Sequence, residues 1–167
     1  MADGEQWSEG FARQAEADFA TYEQLQLVAL PDCHRLQFLQ MACEKLVKSH
    51  LCGSGASPGD VQTSHAYVAK TLPIVLRQQA TFLNYTSPAA GEALRRAKLL
   101  AQEIEVLSPA VNRNGLRPDN CEYPWEDAGG NLHLPLDWAF YAAKLLLEPA
   151  GRTFLKLVRG AIQRLLP

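Results

Sequence analysis

The segment RLQFLQMACEKLVKSHL, residues 35–51, decides the fold class of this chain. Its apolar side chains recur at steps of three and four residues, which places them on one side of an α-helix. They cover roughly half of the circumference, a wider stripe than contact with a single neighbour requires. The segment therefore predicts a helix packed between two others. The apolar members are Leu36, Phe38, Leu39, Ala42, Cys43, Leu46 and Val47.

The other side of this helix carries amide and charged side chains. Glu44 precedes Lys48 by four residues, the order that favours an ion pair on a helix surface. This pair predicts that the polar side faces solvent. The polar members are Gln37, Gln40, Glu44, Lys45 and Lys48.

Helical spacing continues on both sides of this segment. Residues 8–29 predict a first helix capped by Ser8, and Pro31 predicts a tight turn into an antiparallel hairpin. Residues 65–84 predict a helix that Pro73 bends or splits. Ser87 and Pro88 suit the cap and first turn of the next helix, and the last two helices fall within residues 136–148 and 152–167. No segment alternates as a strand does. We expect an all-α, up-and-down bundle of five or six helices in a single domain, residues 1–167.

Composition restricts the class of protein. With 167 residues, 47% of them hydrophobic and 20% charged, the chain suits a compact globular domain. A net charge of -2 gives no overall attraction to nucleic acid or an anionic membrane, so any polyanion contact must be local. We see no secretory leader and no apolar run of the roughly 20 residues that span a membrane. The four cysteines form no CxxC pair. We expect reduced thiols and a cytoplasmic protein that does not contact membranes.

Residues 109–135 form a long connection rich in proline and turn-forming residues, and such connections are commonly functional or disordered. Its aromatic residues and prolines favour an ordered loop. Arg113 and Arg117 carry planar donors suited to phosphate, and Tyr123 and Trp125 offer faces on which a base stacks. The loop is therefore a candidate ligand site. Alternatively, the aromatic rings pack the loop on the bundle and its arginines pair with neighbouring acidic residues.

Two histidines are further ligand-binding candidates. His50 lies near the end of the helix at residues 35–51, where a histidine most often interacts with the free carbonyl groups of the last turn and with the helix dipole. The functional alternative is a polar pocket that His50 shares with His65, which is itself also compatible with an ordinary first-turn position.

Basic residues are concentrated in the last helix. Arg152, Lys156 and Arg159 fall on one helical face, whereas the first segment is acidic. The simpler interpretation is that faces of opposite sign pair within the bundle or across a dimer. The functional alternative is a basic strip for phosphate.

Catalytic and metal-binding motifs are not found. The sequence has no Gly-rich phosphate loop after a strand, no GxSxG and no recognisable cysteine nucleophile. Its histidines and cysteines lack the close pairs typical of zinc sites. We therefore expect no catalytic residue, no metal and no cofactor.

The order of segments resembles a known family. FLQMACEKLVKSHL, followed by a loop and SHAYVAKTL, and later CEYPWEDAGG before a helix near residues 136–138, is similar to HEPN domains (higher eukaryotes and prokaryotes nucleotide-binding). The resemblance implies a helical bundle that often forms homodimers, binds nucleotides or RNA, and belongs to toxin–antitoxin or defence systems.

This sequence departs from the family in one motif. Members that cleave RNA carry an arginine four to six residues before a histidine, and none of His34, His50, His65 and His133 has one. We therefore predict a non-catalytic HEPN-like protein that binds a nucleotide, RNA or a partner protein. A nucleotidyltransferase is the partner that a two-component system would supply. The alternatives are a divergent ribonuclease or nucleotide-modifying enzyme that uses His50, His65 and the loop arginines at a dimer seam, and a pure protein-interaction module.

Overall fold

The computed structural model describes residues 2–111 and 118–167. Within them the chain forms seven α-helices, one short 3-10 helix and a two-stranded antiparallel hairpin. The predicted all-α bundle is confirmed. The elements are α1 (Gly4–Leu25), α2 (Asp32–Gly53), α3 (Pro58–Thr63), α4 (Val68–Phe82), α5 (Pro88–Glu105), β1 (Trp125–Glu126), β2 (Leu132–His133), the 3-10 helix (Pro135–Asp137), α6 (Tyr141–Leu147) and α7 (Pro149–Leu165).

Helix α2 contains the segment that decides the fold, and it lies at the centre of the bundle. Its apolar side chains Leu36, Leu39 and Leu46 are at most 1% exposed. The predicted number of neighbouring helices, two, is too low, because α2 contacts every other α-helix. Its predicted solvent-facing side is also partly covered: Gln40 and Lys48 are 4% and 5% exposed. The sequence could not indicate the burial of Lys48, since Lys48 donates to the Gln62 carbonyl of the short helix α3, in a stretch that reads as a loop.

Helix α1 begins earlier than its apolar pattern predicts. Asp3 caps it, with its carboxylate accepting from the Gln6 amide at 2.9 Å while the Gln6 side chain accepts from the Asp3 amide at 3.0 Å. The prediction that Ser8 caps the helix is wrong. Ser8 lies inside α1, where its hydroxyl donates to the Ser49 carbonyl of α2 at 2.9 Å. The Ser49 hydroxyl donates back to the Ser8 carbonyl at 2.8 Å, so the pair joins the two helices.

Proline has different effects in the middle helices. Pro73 lies inside α4, which is continuous on both sides of it. Ser87 caps α5 as predicted, accepting from the Ala90 amide at 3.1 Å with Pro88 as the first helical residue. Helix α4 has no side-chain cap of its own, and Glu105 of α5 accepts from the Ala69 amide at 2.8 Å instead. The amides at the start of α4 are therefore satisfied by a neighbouring helix.

The last part of the chain starts its helix later than predicted. Residues 135–137 form the 3-10 helix, Trp138 is extended, and α6 begins at Tyr141. One hydrophobic core joins α1, α2, α4, α5, α6 and α7 with Cys121 and Trp125 of the preceding connection. No helix in the described ranges is long and apolar enough to cross a membrane.

Helices α6 and α7 approach each other closely at Gly151. A Cβ atom there would lie 2.2 Å from the Leu145 carbonyl oxygen and 2.6 Å from the Leu146 Cα. Both are backbone atoms, so no side-chain rotation relieves the contact. A side chain at this position requires α6 and α7 to separate.

We therefore expect Gly151→Ala to destabilise the protein by about 1–3 kcal/mol through overpacking. Gly10→Ala is the matched control, because a Cβ at Gly10 of α1 meets nothing within 4 Å and alanine favours a helix interior by up to about 1 kcal/mol. Urea denaturation measures both. An unchanged midpoint for Gly151→Ala would contradict the close approach.

Candidate functional site

The loop predicted as a ligand site is only partly described. Arg113 and Arg117 lie outside the described residues. Asn120 forms a local turn, since its side-chain oxygen accepts from the Glu122 amide at 2.9 Å and from the Tyr123 amide at 2.8 Å. This turn holds Tyr123 at the surface, where it is 61% exposed.

Trp125, the second aromatic candidate, is 8% exposed and belongs to the core. Its ring stacks on His133 with centroids 6.0 Å apart and meets the edge of Trp138 at 5.3 Å. The two aromatic candidates therefore differ: Tyr123 has an accessible ring, whereas Trp125 is packed against protein rings.

The hairpin turn is organised by Asp127. Its carboxylate lies 3.0 Å from His133 Nε2 and accepts from the Gly129 amide at 2.8 Å and the Asn131 amide at 2.9 Å. The hydrogen bond from His133 and those from Asn131 and Gly129 hold the pKa of Asp127 well below its usual range. Asp127 and His133 thus close the turn between β1 and β2.

The structure places the two candidate histidines against different groups. His65 Nδ1 lies 3.0 Å from Glu44 Oε1. His50 is near Arg164 of α7, and burial followed by the positive charge of Arg164 lowers the pKa of His50. No described residue hydrogen-bonds or pairs with both histidines.

Glu44 is the centre of a polar network under α3. Gln40 donates to Glu44 Oε2 at 2.9 Å, and the Lys48 ammonium lies 2.8 Å from Glu44 Oε1. Lys48 also donates to the Gln62 carbonyl of α3 at 3.2 Å. Burial raises the pKa of Glu44, but the hydrogen bonds and charges of Lys48, Gln40 and His65 outweigh it, and the pKa lies below its ordinary value. The network is explained by its role in packing α3 on α2.

A concave site lies where α1, α2, α6 and α7 meet. We call it the cleft; its volume is about 490 Å³, within the range of small-molecule sites. Its lining residues are Phe19, Tyr22, Glu23, Gln26, Arg35, Leu36, Ala143, Leu146, Leu147, Arg152, Leu155, Lys156 and Arg159. The floor is apolar, because Phe19, Leu36 and Leu146 are each at most 6% exposed.

Positive charge dominates the rim of the cleft. Four lining residues are cationic, Arg35, Arg152, Lys156 and Arg159, and one, Glu23, is anionic. Four minus one leaves a formal charge of +3 in a chain whose net charge is -2. An anion in the cleft would therefore meet more positive than negative side chains, although the whole molecule is negatively charged.

The four cations retain capacity for a ligand. Arg159 pairs with Glu23, and Arg35 pairs with Asp32 of its own helix. Arg152 donates one Nη1–H to the Leu147 carbonyl at 2.7 Å, and Lys156 has no ion-pair partner within residues 2–111 and 118–167. Because a guanidinium has five N–H donors, each arginine keeps others for a ligand.

Tyr22 contributes a polar group to the apolar floor. Its side chain is 4% exposed, and its hydroxyl has no hydrogen-bond partner in the described part of the chain. Burial raises the pKa of Tyr22 to about 12, although the positive charge of Arg35 opposes the rise. The hydroxyl can donate a hydrogen bond to a ligand.

The sequence predicted one wall of this cleft and missed the others. The spacing of Arg152, Lys156 and Arg159 places them on one face of α7. Arg159 pairs with Glu23 of the acidic first helix, as the simpler interpretation predicted, and the strip lines a concave surface, whereas its binding of phosphate stays a prediction. Arg35 and Tyr22 were not singled out, because each reads as an ordinary member of its own helix.

Neither comparison with known proteins nor a search for metal-binding side chains identifies a function. The chain matches no protein-family model, and no curated protein or solved structure is significantly similar to it. In the described ranges no group of three or more histidine, cysteine, aspartate or glutamate residues could hold a metal ion. The resemblance found in the sequence stays a prediction.

The Glu44 network generates a pH-dependent prediction. A carboxyl whose pKa is lowered by folding stabilises the protein above its unfolded pKa, and this contribution is lost as the pH falls through the folded pKa. Glu44→Gln removes the charge opposite buried Lys48, and we expect it to destabilise the protein by about 1–3 kcal/mol at pH 7. The difference from wild type should shrink below the ordinary pKa of 4.5.

Urea denaturation at pH 7 and at pH 3 measures this effect. Glu126→Gln, the same chemical change at an exposed position, is the control and should alter stability by less than about 0.5 kcal/mol. Equal destabilisation by Glu44→Gln at both pH values would show that the charge of Glu44 is not what stabilises α3.

Proposed function

We propose that this protein is a non-catalytic, HEPN-like binding protein that holds a nucleotide, or the phosphate-bearing end of an RNA, in the cleft. The observation that carries the proposal is the group of four cations around an apolar floor in a protein of net negative charge. Basic residues spread over the whole surface would suit any polyanion. A basic cleft of about 490 Å³ suits a compact anion with an apolar part.

The phosphate groups would bind along α7. Arg152 and Lys156 lie one helical turn apart, and Arg35 of α2 also lines the cleft. Arginine binds phosphate oxygens with two parallel N–H donors, and lysine adds a point charge. Together these groups can bind more than one phosphate.

The base would lie over the floor. Leu36, Ala143 and Leu146 offer apolar contacts, and the Tyr22 hydroxyl can donate a hydrogen bond. A base edge left without a partner costs about 1–3 kcal/mol. The floor therefore favours a base inserted in part, with its remaining polar edge toward Gln26 and the solvent.

The lining residues support binding rather than catalysis. They include no histidine, cysteine, serine or threonine in the part of the chain that the structure describes. A general acid or base must lie within hydrogen-bond reach of the reacting group. A homodimer, a nucleotidyltransferase partner and a role in a toxin–antitoxin or defence system extend this proposal.

A second candidate function is protein binding at the same end of the molecule. The connection after α1 exposes Leu27, Val28 and Leu30, which are 86%, 50% and 41% exposed, and Leu147 on the cleft rim is 69% exposed. Neighbouring exposed apolar groups commonly mark interaction surfaces. A partner protein that covers them would bind independently of nucleotides.

Thermal denaturation with a panel of nucleotides and short RNAs separates these functions. A ligand at 100 times its Kd stabilises the native protein by about 2.7 kcal/mol, which corresponds to a rise in Tm of about 5–10 °C for a chain of this size. We expect such a rise for at least one nucleotide, and we expect added salt to reduce it.

Variants locate the binding site. Arg152→Ala with Lys156→Ala should abolish the shift, whereas Arg95→Ala with Lys98→Ala, two exposed α5 residues outside the cleft, should preserve it. If Arg113→Ala with Arg117→Ala abolishes the shift instead, the ligand binds at the long connection. An unchanged Tm with every nucleotide and RNA would contradict the proposal and favour the protein-binding module.

A further inference from the structure

The single acidic residue among the cleft-lining residues is in an unexpected place for an anion site. Glu23 of α1 faces Arg159 of α7, and its Oε1 accepts from Arg159 Nη1. A site selected for negative charge alone would gain from a neutral residue here, because a carboxylate repels phosphate. Glu23 gives the cleft an acceptor beside its donors, so a ligand that carries a hydroxyl group as well as phosphate would use both.

Glu23 remains accessible although it is paired. The side chains of Glu23 and Arg159 are 38% and 45% exposed, and an ion pair this open to solvent contributes at most about 1 kcal/mol. Its Oε2 has no hydrogen-bond partner within the described ranges. An ionised carboxylate accepts at both oxygens, so Glu23 can bind a ligand donor without losing Arg159.

The charges also orient the ligand. Arg152 and Arg159 are seven residues apart on α7, about 10 Å along the helix axis. Repulsion from Glu23 places the phosphates toward Arg152 and Lys156. The part of the ligand next to Glu23 must then be uncharged and must donate hydrogen bonds, and in a nucleotide the ribose hydroxyls lie between the phosphate and the base.

On the basis of the proposed nucleotide binding, we propose that Glu23 accepts a hydrogen bond from a ribose hydroxyl and makes the cleft selective for ribonucleoside phosphates over their deoxy analogues. Hydroxyl groups are what distinguish ribonucleotides from deoxyribonucleotides at a binding site. A carboxylate acceptor with a free oxygen meets this requirement, whereas the other polar groups on the rim are mostly donors.

Isothermal titration calorimetry of a ribonucleotide identified in the thermal screen, beside its 2′-deoxy and 3′-deoxy analogues, tests this. Wild type should bind the ribonucleotide about tenfold more tightly than at least one analogue, as expected for one hydrogen bond to a charged group. Glu23→Ala should weaken ribonucleotide binding to the level of that analogue. The affinity of Glu23→Ala for the analogue should stay the same or increase, because the variant lacks the carboxylate that repels the phosphate of the ligand. Glu23→Gln keeps an acceptor and should retain part of the discrimination.

Glu9→Ala is the matched control, since Glu9 is also an α1 glutamate paired with an arginine, Arg13, and does not line the cleft. It should bind all three ligands as wild type does. Equal wild-type affinities for the ribonucleotide and both analogues would overturn the role of Glu23 and leave nucleotide binding intact. Equal weakening of all three ligands by Glu23→Ala would assign Glu23 to positioning Arg159 and would also overturn it. Failure of every nucleotide to bind would overturn both proposals.

Discussion

The burial of α2 on nearly all sides is the constraint on which the rest of the structure depends. A helix in this position cannot leave its polar side chains to solvent, and a buried polar group without a partner costs free energy. Gln40, Glu44 and Lys48 meet the constraint by bonding to one another, and Lys48 also reaches the Gln62 carbonyl of α3. The short helix α3 therefore helps to satisfy the polar side of α2, because it contacts α2 and its Gln62 carbonyl accepts one of these hydrogen bonds.

The cleft follows from the same central helix. Leu36 of α2 forms part of its floor, while α1 and α7 pack on α2 and contribute the rim. The close approach of α6 and α7 at Gly151 brings Leu147 and Arg152 to the same edge, where Arg152 donates to the Leu147 carbonyl. The charges of the rim therefore come from helices that are distant in the sequence. Their combination, an apolar floor with several guanidinium groups and one carboxylate, is the physical basis of the proposed nucleotide site.

Sequence patterns predicted the helices best where apolar residues recurred at helical spacing over a long segment. The α5 segment and its Ser87 cap are as expected, because helix boundaries of this kind depend on local chemistry. Ser8 is the contrary case, since its hydroxyl bonds to a helix that the local sequence does not specify. At the candidate site, the face formed by Arg152, Lys156 and Arg159 was predictable from helical spacing. Arg35, Tyr22 and Glu23 were not, because their role depends on which helices become neighbours.

By itself, the sequence determined that this chain is an all-α bundle, that α2 packs against neighbouring helices through a wide apolar stripe, and that one face of α7 is basic. These are consequences of period, composition and charge, which act within a single helix. The tertiary structure decided which polar groups are buried, which aromatic rings remain exposed, and where a concave basic surface forms. The physical reason is that burial and electrostatic potential are sums over neighbours, and the neighbours of a residue such as Lys48 or Glu23 are set by packing between distant segments.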